Sequence, residues 1–206
     1  MELSFIKKLN STELGLGNTH DSYVAAKKDI LTNFFNDSNP IFYDYFSDKK
    51  YDEIHISTPG KELRINGLGK FYKNNNASPG DEVIFTKTTK SYLIGLKKSG
   101  NIATLSSTSS KGFEILHQSN LDSYKNNESF NLNLEFNGEK SNIEIRFSSR
   151  EKKRSDSPNE ADFYHIFKDN VNLLNELKGR GFVEIKSTQR GAILCKSPSW
   201  KFYKFY

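Results

Sequence analysis

Apolar and polar residues alternate in many short runs along the chain, and this two-residue period predicts β-strands. In the first half, the runs cover residues 5–9, 51–56, 62–65, 83–85, 92–96 and 100–105. In the second half, they cover residues 130–136, 142–147, 182–186 and 191–196, and residues 200–206 alternate aromatic and basic side chains. Short strands joined by tight turns predict a mainly β chain built as a barrel or pseudobarrel.

Two segments instead show the longer period that is typical of a helix. Residues 24–35 form the first segment, whose apolar positions at helical spacing are Ile30, Leu31, Phe34 and Phe35. Residues 162–178 form the second, an amphipathic pattern that Gly179 and Gly181 would end; its apolar positions are Phe163, Ile166, Phe167, Val171, Leu174 and Leu177. Residues 41–46 fit a strand or a helix. The predicted fold class is therefore mainly β with α (α+β), a pseudobarrel with flanking helices and a C-terminal α/β extension.

Two polar stretches, residues 106–110 and 119–129, interrupt these patterns near the middle of the chain. Polar, serine-rich segments are typical of loops and of boundaries between domains. We therefore expect a pseudobarrel over residues 1–118 and an α/β extension over residues 119–206, which would pack as part of the same unit or stand apart from it. The 206 residues are enough to bury a core.

Composition narrows the class of protein. The formal net charge of +5 fits a polyanionic partner without requiring one. A single cysteine, Cys195, excludes an internal disulfide and any cysteine-rich zinc site, and the four histidines lack the spacing of metal ligands. We expect neither a metal nor another cofactor. The chain has no run of ~20 apolar residues and no leader-like start, so we expect a cytoplasmic protein without a membrane contact.

A charged strand at residues 62–65 is the first candidate site. If it is a strand, Leu63 and Ile65 share one face, because successive side chains point to opposite sides. The other side then carries residue types that bind base edges and phosphates, namely Lys61, Glu62, Arg64 and Asn66. A solvated edge strand would show the same pattern, so this alternative stays open at the level of these residues.

A polar loop punctuated by glycines follows the first strand and supplies, in order, Lys8, Leu9, Ser11, Glu13, Gly15, Gly17, Thr19 and His20. Further along come the Glu62-x-Arg64 strand and a Gly80-Asp81 turn before an apolar strand. Together these motifs resemble the B3-like DNA-binding domains of restriction endonucleases of the EcoRII and BfiI types. The resemblance covers roughly the first 100 residues. It implies a pseudobarrel that grips the DNA major groove with two arms, here residues 17–23 and residues 58–66.

What the resemblance implies for this chain is sequence-specific binding of double-stranded DNA in a bacterial restriction-modification system, as in defence enzymes of the LlaJI type. The chain itself would not be an enzyme, and a nuclease or an NTP-driven motor would be a further domain or a partner. The expected DNA-binding residues are Asn18, Thr19, His20, Asp21, Ser22, Tyr23, Lys61, Glu62, Arg64 and Asn66. The expected phosphate contacts are Lys7, Lys8, Lys27, Lys28, Lys70 and Lys73.

Two other functions remain open. Glu184-Ile185-Lys186 matches half of the PD-(D/E)xK nuclease motif, in which Asp162 or Asp169 would be the second acid. Both of these acids fall on the predicted helix, where they should not converge with Glu184. The aromatic C-terminal half is also compatible with a protein-interaction module, although aromatic residues at strand spacing are more often core.

Overall fold

The computed structural model describes residues 2–16, 22–27, 34–36, 38–106, 110–118, 129–152, 155, 160–179 and 181–205. These residues form two compact units. Unit 1 comprises Met1–Ser99 together with Trp200–Tyr206, and unit 2 comprises Gly100–Ser199. The division therefore falls at residues 99/100 and again at 199/200, and not at the expected 118/119. Unit 2 is inserted between two strands of unit 1.

The described residues of unit 1 form ten elements, which are β1 (Glu2–Lys8), β2 (Val24–Lys27), β3 (Phe42–Asp44), β4 (Lys50–Tyr51), β5 (His55–Ser57), β6 (Glu62–Asn66), α1 (Gly69–Asn74), β7 (Glu82–Lys87), β8 (Tyr92–Lys97) and β17 (Trp200–Phe205). One sheet has six strands in the order β17-β1-β7-β8-β3-β4, and a second has three in the order β2-β6-β5. Both sheets contribute to a single core. At its centre Phe5 stacks on Phe85 with ring centroids 4.6 Å apart. Aromatic stacking of this kind adds to the free energy gained from burial.

In unit 2, nine elements lie within the described part of the chain, which are β9 (Ala103–Ser106), β10 (Glu114–Gln118), β11 (Phe130–Phe136), β12 (Glu139–Lys152), β13 (Glu160–Lys168), β14 (Val171–Asn172), α2 (Leu174–Leu177), β15 (Phe182–Thr188) and β16 (Gly191–Ser197). The strand order is β10-β9-β15-β16-β11-β12-β13-β14. Two backbone hydrogen bonds join Phe113, just before β10, to Tyr164 on β13. The core of this unit is separate from that of unit 1.

The structure confirms the mainly β class and several hairpins. The antiparallel pairs β5–β6, β7–β8, β11–β12 and β15–β16 lie where the alternating runs predicted strands. Within the described residues the two larger sheets are open in strand order. The α content is small, because α1 and α2 are the described helices and each spans six residues or fewer.

The two predicted helices are wrong over most of their described residues. Val24–Lys27 is strand β2, paired with β6, and residues 28–33 lie outside the described part of the chain. Glu160–Lys168 is strand β13, which pairs with β12 along nine registered positions. The spacing of Phe163 and Ile166 fits a helix, but pairing with the long β12 satisfies the backbone and buries both side chains. Only Leu174–Leu177 of the predicted segment is helical.

A glycine sets the direction of the chain directly after β6. Gly67 has φ +75°, and a Cβ atom placed there would lie 2.2 Å from the carbonyl oxygen of Glu53. Any other residue would therefore have to move the backbone. The chain then enters α1, which buries Phe71 and Tyr72 in the core of unit 1. This anchoring fixes the end of the strand that carries the candidate site.

None of the helices that the structure describes is long and apolar enough to cross a membrane.

Candidate nucleic-acid interface

The three-stranded sheet of unit 1 carries the predicted second arm on its outward face. Leu63 and Ile65 are buried, whereas Glu62, Arg64 and Asn66 point to the opposite side of β6. The predicted alternation is therefore confirmed. In the register of the sheet, Arg64 lies between Ser57 on β5 and Ala25 on β2. The flanking side chains are small, and the side chain of Arg64 is 38% exposed.

Arg64 is held on two sides by other side chains. Its guanidinium carbon lies 4.7 Å from the ring centroid of Tyr23, which is the geometry of a cation–π contact. Its Nε and Nη2 donate to Oε2 of Glu62 at 3.3 Å and 3.1 Å. An arginine has five N–H donors, so the end-on edge formed by Nη1 and the second Nη2 hydrogen is not used by Glu62. That edge has the fork geometry that matches O6 and N7 of guanine.

Asn66 is the next outward residue on β6, and it is tied to the neighbouring strand. Its Nδ2 donates to Oγ of Ser57 at 2.9 Å, with longer contacts to the carbonyl oxygens of Arg64 and His55 at 3.4 Å and 3.5 Å. A bidentate contact with adenine needs both the Nδ2 and the Oδ1 of an asparagine. Because Nδ2 is already engaged, we assign Asn66 to positioning of the β5–β6 hairpin first and to base contact second.

The turn between β5 and β6 presents Lys61 to solvent. Gly60 in this turn has φ +62°, and a Cβ atom placed there would meet no atom within 4 Å, so the tip is open. Glu62 N–H donates to the carbonyl of Pro59 at 3.2 Å, which closes the turn. Lys61 is therefore an exposed cation in the turn that joins β5 and β6.

The sequence reasoning missed two outward residues of this face, His55 and Ser57. Both lie on β5, with His55 opposite Asn66 and Ser57 opposite Arg64. Nδ1 of His55 lies 3.1 Å from the carbonyl oxygen of Glu53. The alternation of residues 51–56, extended by one further position, was a signal that could have found them.

The first arm falls largely outside the described residues. This is the case for Asn18, Thr19, His20 and Asp21. Ser22 and Tyr23 are described, and they lead into β2, where the Ser22 carbonyl accepts from the N–H of Leu68 at 3.4 Å. The structure therefore brings Tyr23 of the first arm into contact with Arg64 of the second.

The loop that leads toward the first arm has a rigid base. Glu13 N–H donates to Oδ1 of Asn10 at 2.9 Å, and Asn10 N–H donates to Oε2 of Glu13 at 3.0 Å. The buried carboxylate of Glu13 also pairs with Nζ of Lys7 at 2.8 Å. Burial raises the pKa of Glu13, against the lowering effect of Lys7 and of the hydrogen bonds to Lys7 and Asn10.

The structure corrects the prediction that Lys7 and Lys8 contact phosphates. The two residues are only 3% and 4% exposed. Lys7 pairs with Glu13, and Nζ of Lys8 lies 3.2 Å from Oε1 of Glu82. A buried ammonium needs a partner to offset its lost hydration, and both partners come from other parts of unit 1. These lysines therefore stabilise the fold and do not face a ligand.

The structure describes the other four predicted phosphate contacts to different extents. Lys70 and Lys73 on α1 are exposed, and Lys70 Nζ lies 3.7 Å from Oε1 of Glu53. The backbone of Lys27 pairs with that of Glu62, but its side chain lies outside the described part of the structure. Lys28 also lies outside it. Lys70 and Lys73 thus remain candidates.

The nuclease alternative gains no support from the arrangement of acids. Glu184 is 1% exposed, and its carboxylate binds Nζ of Lys186 at 2.8 Å and Nδ2 of Asn101 at 2.9 Å. Its strand β15 pairs with β9 and β16, whereas Asp162 lies on β13 and is held by Arg150 at 2.6 Å. Asp169 follows β13 directly. Among the described residues, no three His, Cys, Asp or Glu side chains come together as a metal site would require.

Comparisons with known proteins find no family model, no curated protein and no solved structure that matches this chain. The resemblance to B3-like domains therefore rests on the short motifs of the first 100 residues and stays a prediction.

Proposed function

We propose that this chain is a sequence-specific binding module for double-stranded DNA that reads the major groove with the outward face of β5 and β6. One observation carries the proposal: Arg64 is stacked on Tyr23 and tethered by Glu62 on an exposed strand face, with one donor edge directed away from Glu62. A guanidinium that is already oriented loses less conformational entropy when it binds a base.

The dimensions of the hairpin support this use. A two-stranded β-ribbon fits the major groove of B-DNA, which is about 12 Å wide. Because β6 is also paired with β2, the β5–β6 turn and the outward side chains beside it are the parts that would enter such a groove. The exposed Lys61 at the tip then lies near the phosphates or the guanine edges at the groove floor.

The proposed roles follow from the contacts. Arg64 donates to O6 and N7 of a guanine, and Glu62 orients it. The ring of Tyr23 stacks on the guanidinium, and Asn66 holds the β5–β6 hairpin in register. Lys70 and Lys73 on α1 contact the phosphate backbone and add affinity without sequence preference. The net charge of +5 is in keeping with a polyanionic ligand.

The wider setting of the proposal comes from the resemblance alone. In it, unit 1 is a B3-like pseudobarrel whose six-stranded and three-stranded sheets share one core. The chain is the target-recognition part of a bacterial restriction-modification enzyme, and cleavage or translocation is supplied by a nuclease or an NTPase domain or subunit.

Selection of bound duplexes from a random-sequence DNA library tests the proposal. The experiment includes magnesium, and the length of the DNA is followed in the same tubes. We expect enrichment of a short motif that contains at least one guanine, with the DNA left uncut. Absence of any enriched motif would contradict the proposal. Cleavage that is lost in Glu184→Gln would instead return Glu184 and Lys186 to a nuclease role.

A further inference from the structure

The six-stranded sheet of unit 1 has a second face, opposite to the one that packs into the core. The register places Lys201, Ile6, Ile84 and Gly95 in one row across β17, β1, β7 and β8. A neighbouring row holds Tyr203, Ser4, Thr86 and Leu93. None of these residues belongs to the proposed duplex-binding face, which lies on the other sheet of the unit.

One end of this face carries an excess of positive charge. The carboxylate of Glu82 is shared by Lys201 at 2.9 Å, Lys8 at 3.2 Å and Lys97 at 3.8 Å. Burial acts to raise the pKa of Glu82, but Lys201 and Lys8 outweigh it and the pKa lies below its ordinary value. Lys8 is buried, whereas the side chains of Lys97 and Lys201 are 69% and 31% exposed. These two lysines are the cations that an anion can reach from this face.

Next to the lysines, two aromatic rings lie on the sheet at Gly95. A Cβ atom at Gly95 would lie 2.9 Å from Cδ2 of Tyr45 and 3.4 Å from Cε2 of Phe46, so only glycine lets the rings rest there. The hydroxyl of Tyr45 is hydrogen-bonded to Oγ1 of Thr86, which fixes the ring at its far end. Phe46 N–H donates to Oδ1 of Asp44 at 2.8 Å.

The rings are exposed although they are firmly positioned. Phe46 is 78% exposed, and the same face also exposes Tyr43, Tyr45 and Tyr203. A cluster of exposed aromatic side chains on one surface is typical of an interaction site. Gly95, on which the rings rest, and Lys97 are two residues apart on β8, so their Cα atoms are about 7 Å apart along the strand.

We propose that this face binds single-stranded nucleic acid without sequence preference, with phosphates at Lys97 and Lys201 and bases stacked on Tyr45 and Phe46. Proteins that bind single strands combine a basic track with aromatic platforms, because every base has a face that can stack. An acidic peptide would satisfy the lysines but leave the rings exposed, and an apolar peptide would do the reverse. A single strand offers both chemistries in one polymer.

A fluorescence-anisotropy titration of the full chain with labelled oligo-dT of about 20 nucleotides, longer than a typical single-strand site, tests this proposal. We expect Phe46→Ala to weaken binding by about fivefold or more, since stacking of a base on a ring is worth roughly 1–3 kcal/mol, and about 1.4 kcal/mol corresponds to tenfold. Lys97→Gln should lower the slope of log K against log salt by about 0.7, the value for one phosphate neutralised on a single strand. Val171→Ala and Lys90→Gln are matched controls, because both residues are exposed and lie off this face.

Three results would overturn the proposal. The first is no binding of oligo-dT at low salt, and the second is an equal loss of affinity in Phe46→Ala and Val171→Ala. The third is displacement of oligo-dT by poly-glutamate together with no effect of Phe46→Ala, which would assign the face to an acidic protein. Binding of the selected duplex is measured in parallel. The duplex site lies on another sheet, so failure of one proposal leaves the other intact.

Discussion

Two strands of this chain, one in each unit, carry a glutamate two residues before an arginine and hold that arginine against an aromatic ring. On β6, Glu62 holds Arg64, which lies 4.7 Å from the centroid of Tyr23. On β12, Glu144 holds Arg146, which lies 4.3 Å from the centroid of Phe167. The glutamate and the arginine have the same spacing on both strands, and each arginine lies against an aromatic ring. We nevertheless assign DNA recognition to the first strand only.

Both arginines donate from Nε and Nη2, and the two sites differ in the acceptor. Arg146 uses Nε and Nη2 on two separate oxygens of Glu144, at 3.1 Å and 2.6 Å. Glu62 offers Arg64 a single oxygen. Other cations beside Arg146 are paired as well, since Arg150 binds Asp162 and Lys168 binds Glu139. We infer that Arg146, held by two oxygens among other ion-paired cations, acts on stability, and that Arg64, held by one oxygen, is more easily redirected to a ligand.

Removing one member of the buried ion pair of Lys7 and Glu13 should have the largest effect, and this effect is on stability. Lys7→Met leaves the Glu13 carboxylate buried without its cation, which costs about 3–5 kcal/mol in the free energy of unfolding. Urea unfolding at pH 7 measures this loss. Lys90→Met is the exposed control and should change stability little.

The same variant has a defined pH dependence. The pKa of Glu13 is already raised by burial, and removal of Lys7 raises it further. In the window between the unfolded and folded pKa values the folded state then binds more protons, so stability falls as pH rises. The loss of stability in Lys7→Met should therefore be smaller at pH 5 than at pH 7. A loss that does not depend on pH, or that Glu13→Gln fails to relieve in the double variant, would contradict this interpretation.

Removal of the Glu62 carboxylate, which holds Arg64, should have a smaller effect. This effect should be on DNA binding and not on stability. Glu62→Gln weakens the hydrogen bonds that orient the guanidinium, so we expect about 1 kcal/mol lower affinity for the selected duplex. Glu144→Gln is the matched control on β12 and should leave that affinity unchanged. Equal effects of the two variants would remove the distinction between the strands.

The lysines of α1 extend the comparison to phosphate binding. Lys70→Ala combined with Lys73→Ala should lower the slope of log K against log salt by about 0.9 for each phosphate no longer neutralised, on cognate and random duplexes alike. Lys168→Ala in unit 2 removes an ion-paired lysine and should not change the slope. A slope that is unchanged in the α1 double variant would exclude these two residues as phosphate ligands.

The smallest expected effect is on the titration of Glu144. Its hydrogen bond with Arg146 holds the pKa of the carboxyl below the ordinary value. A lowered carboxyl pKa contributes stability above the unfolded pKa, and this stability is lost as pH falls through the folded pKa. Carbon-detected NMR of the side chain should show the pKa of Glu144 rising toward its ordinary value in Arg146→Ala. No change would mean that the pair is not formed in solution.

The sequence predicts the candidate face better than the architecture around it. The alternation of residues 62–65 was enough to place Arg64 outside and Leu63 inside, because a half-buried strand buries every second residue. The contact between Tyr23 and Arg64 was not visible, because residues 24–27 were included in the helix predicted over residues 24–35 and their pairing with β6 depends on a distant segment. Tertiary pairing overrides such local preferences.

Burial of charged residues was equally hard to foresee. Lys7 and Lys8 lie side by side on β1, yet both are buried because Glu13 and Glu82 reach them from opposite faces of the sheet. The insertion of unit 2 follows from the pairing of β17 with β1, which joins the two ends of the chain. The periodicity of the sequence shows neither these ion pairs nor the choice of β17 as the partner of β1.

Competition binding on the motif selected from the library, with Arg64→Ala and Arg146→Ala measured side by side, tests the central claim most directly. We predict that Arg64→Ala loses about 1–3 kcal/mol of binding free energy on the motif and little on random duplex, as expected for a residue that contacts a base. Arg146→Ala should bind both DNAs as the unaltered protein does. Equal losses on motif and random DNA in Arg64→Ala, or equal losses in the two variants, would contradict the claim.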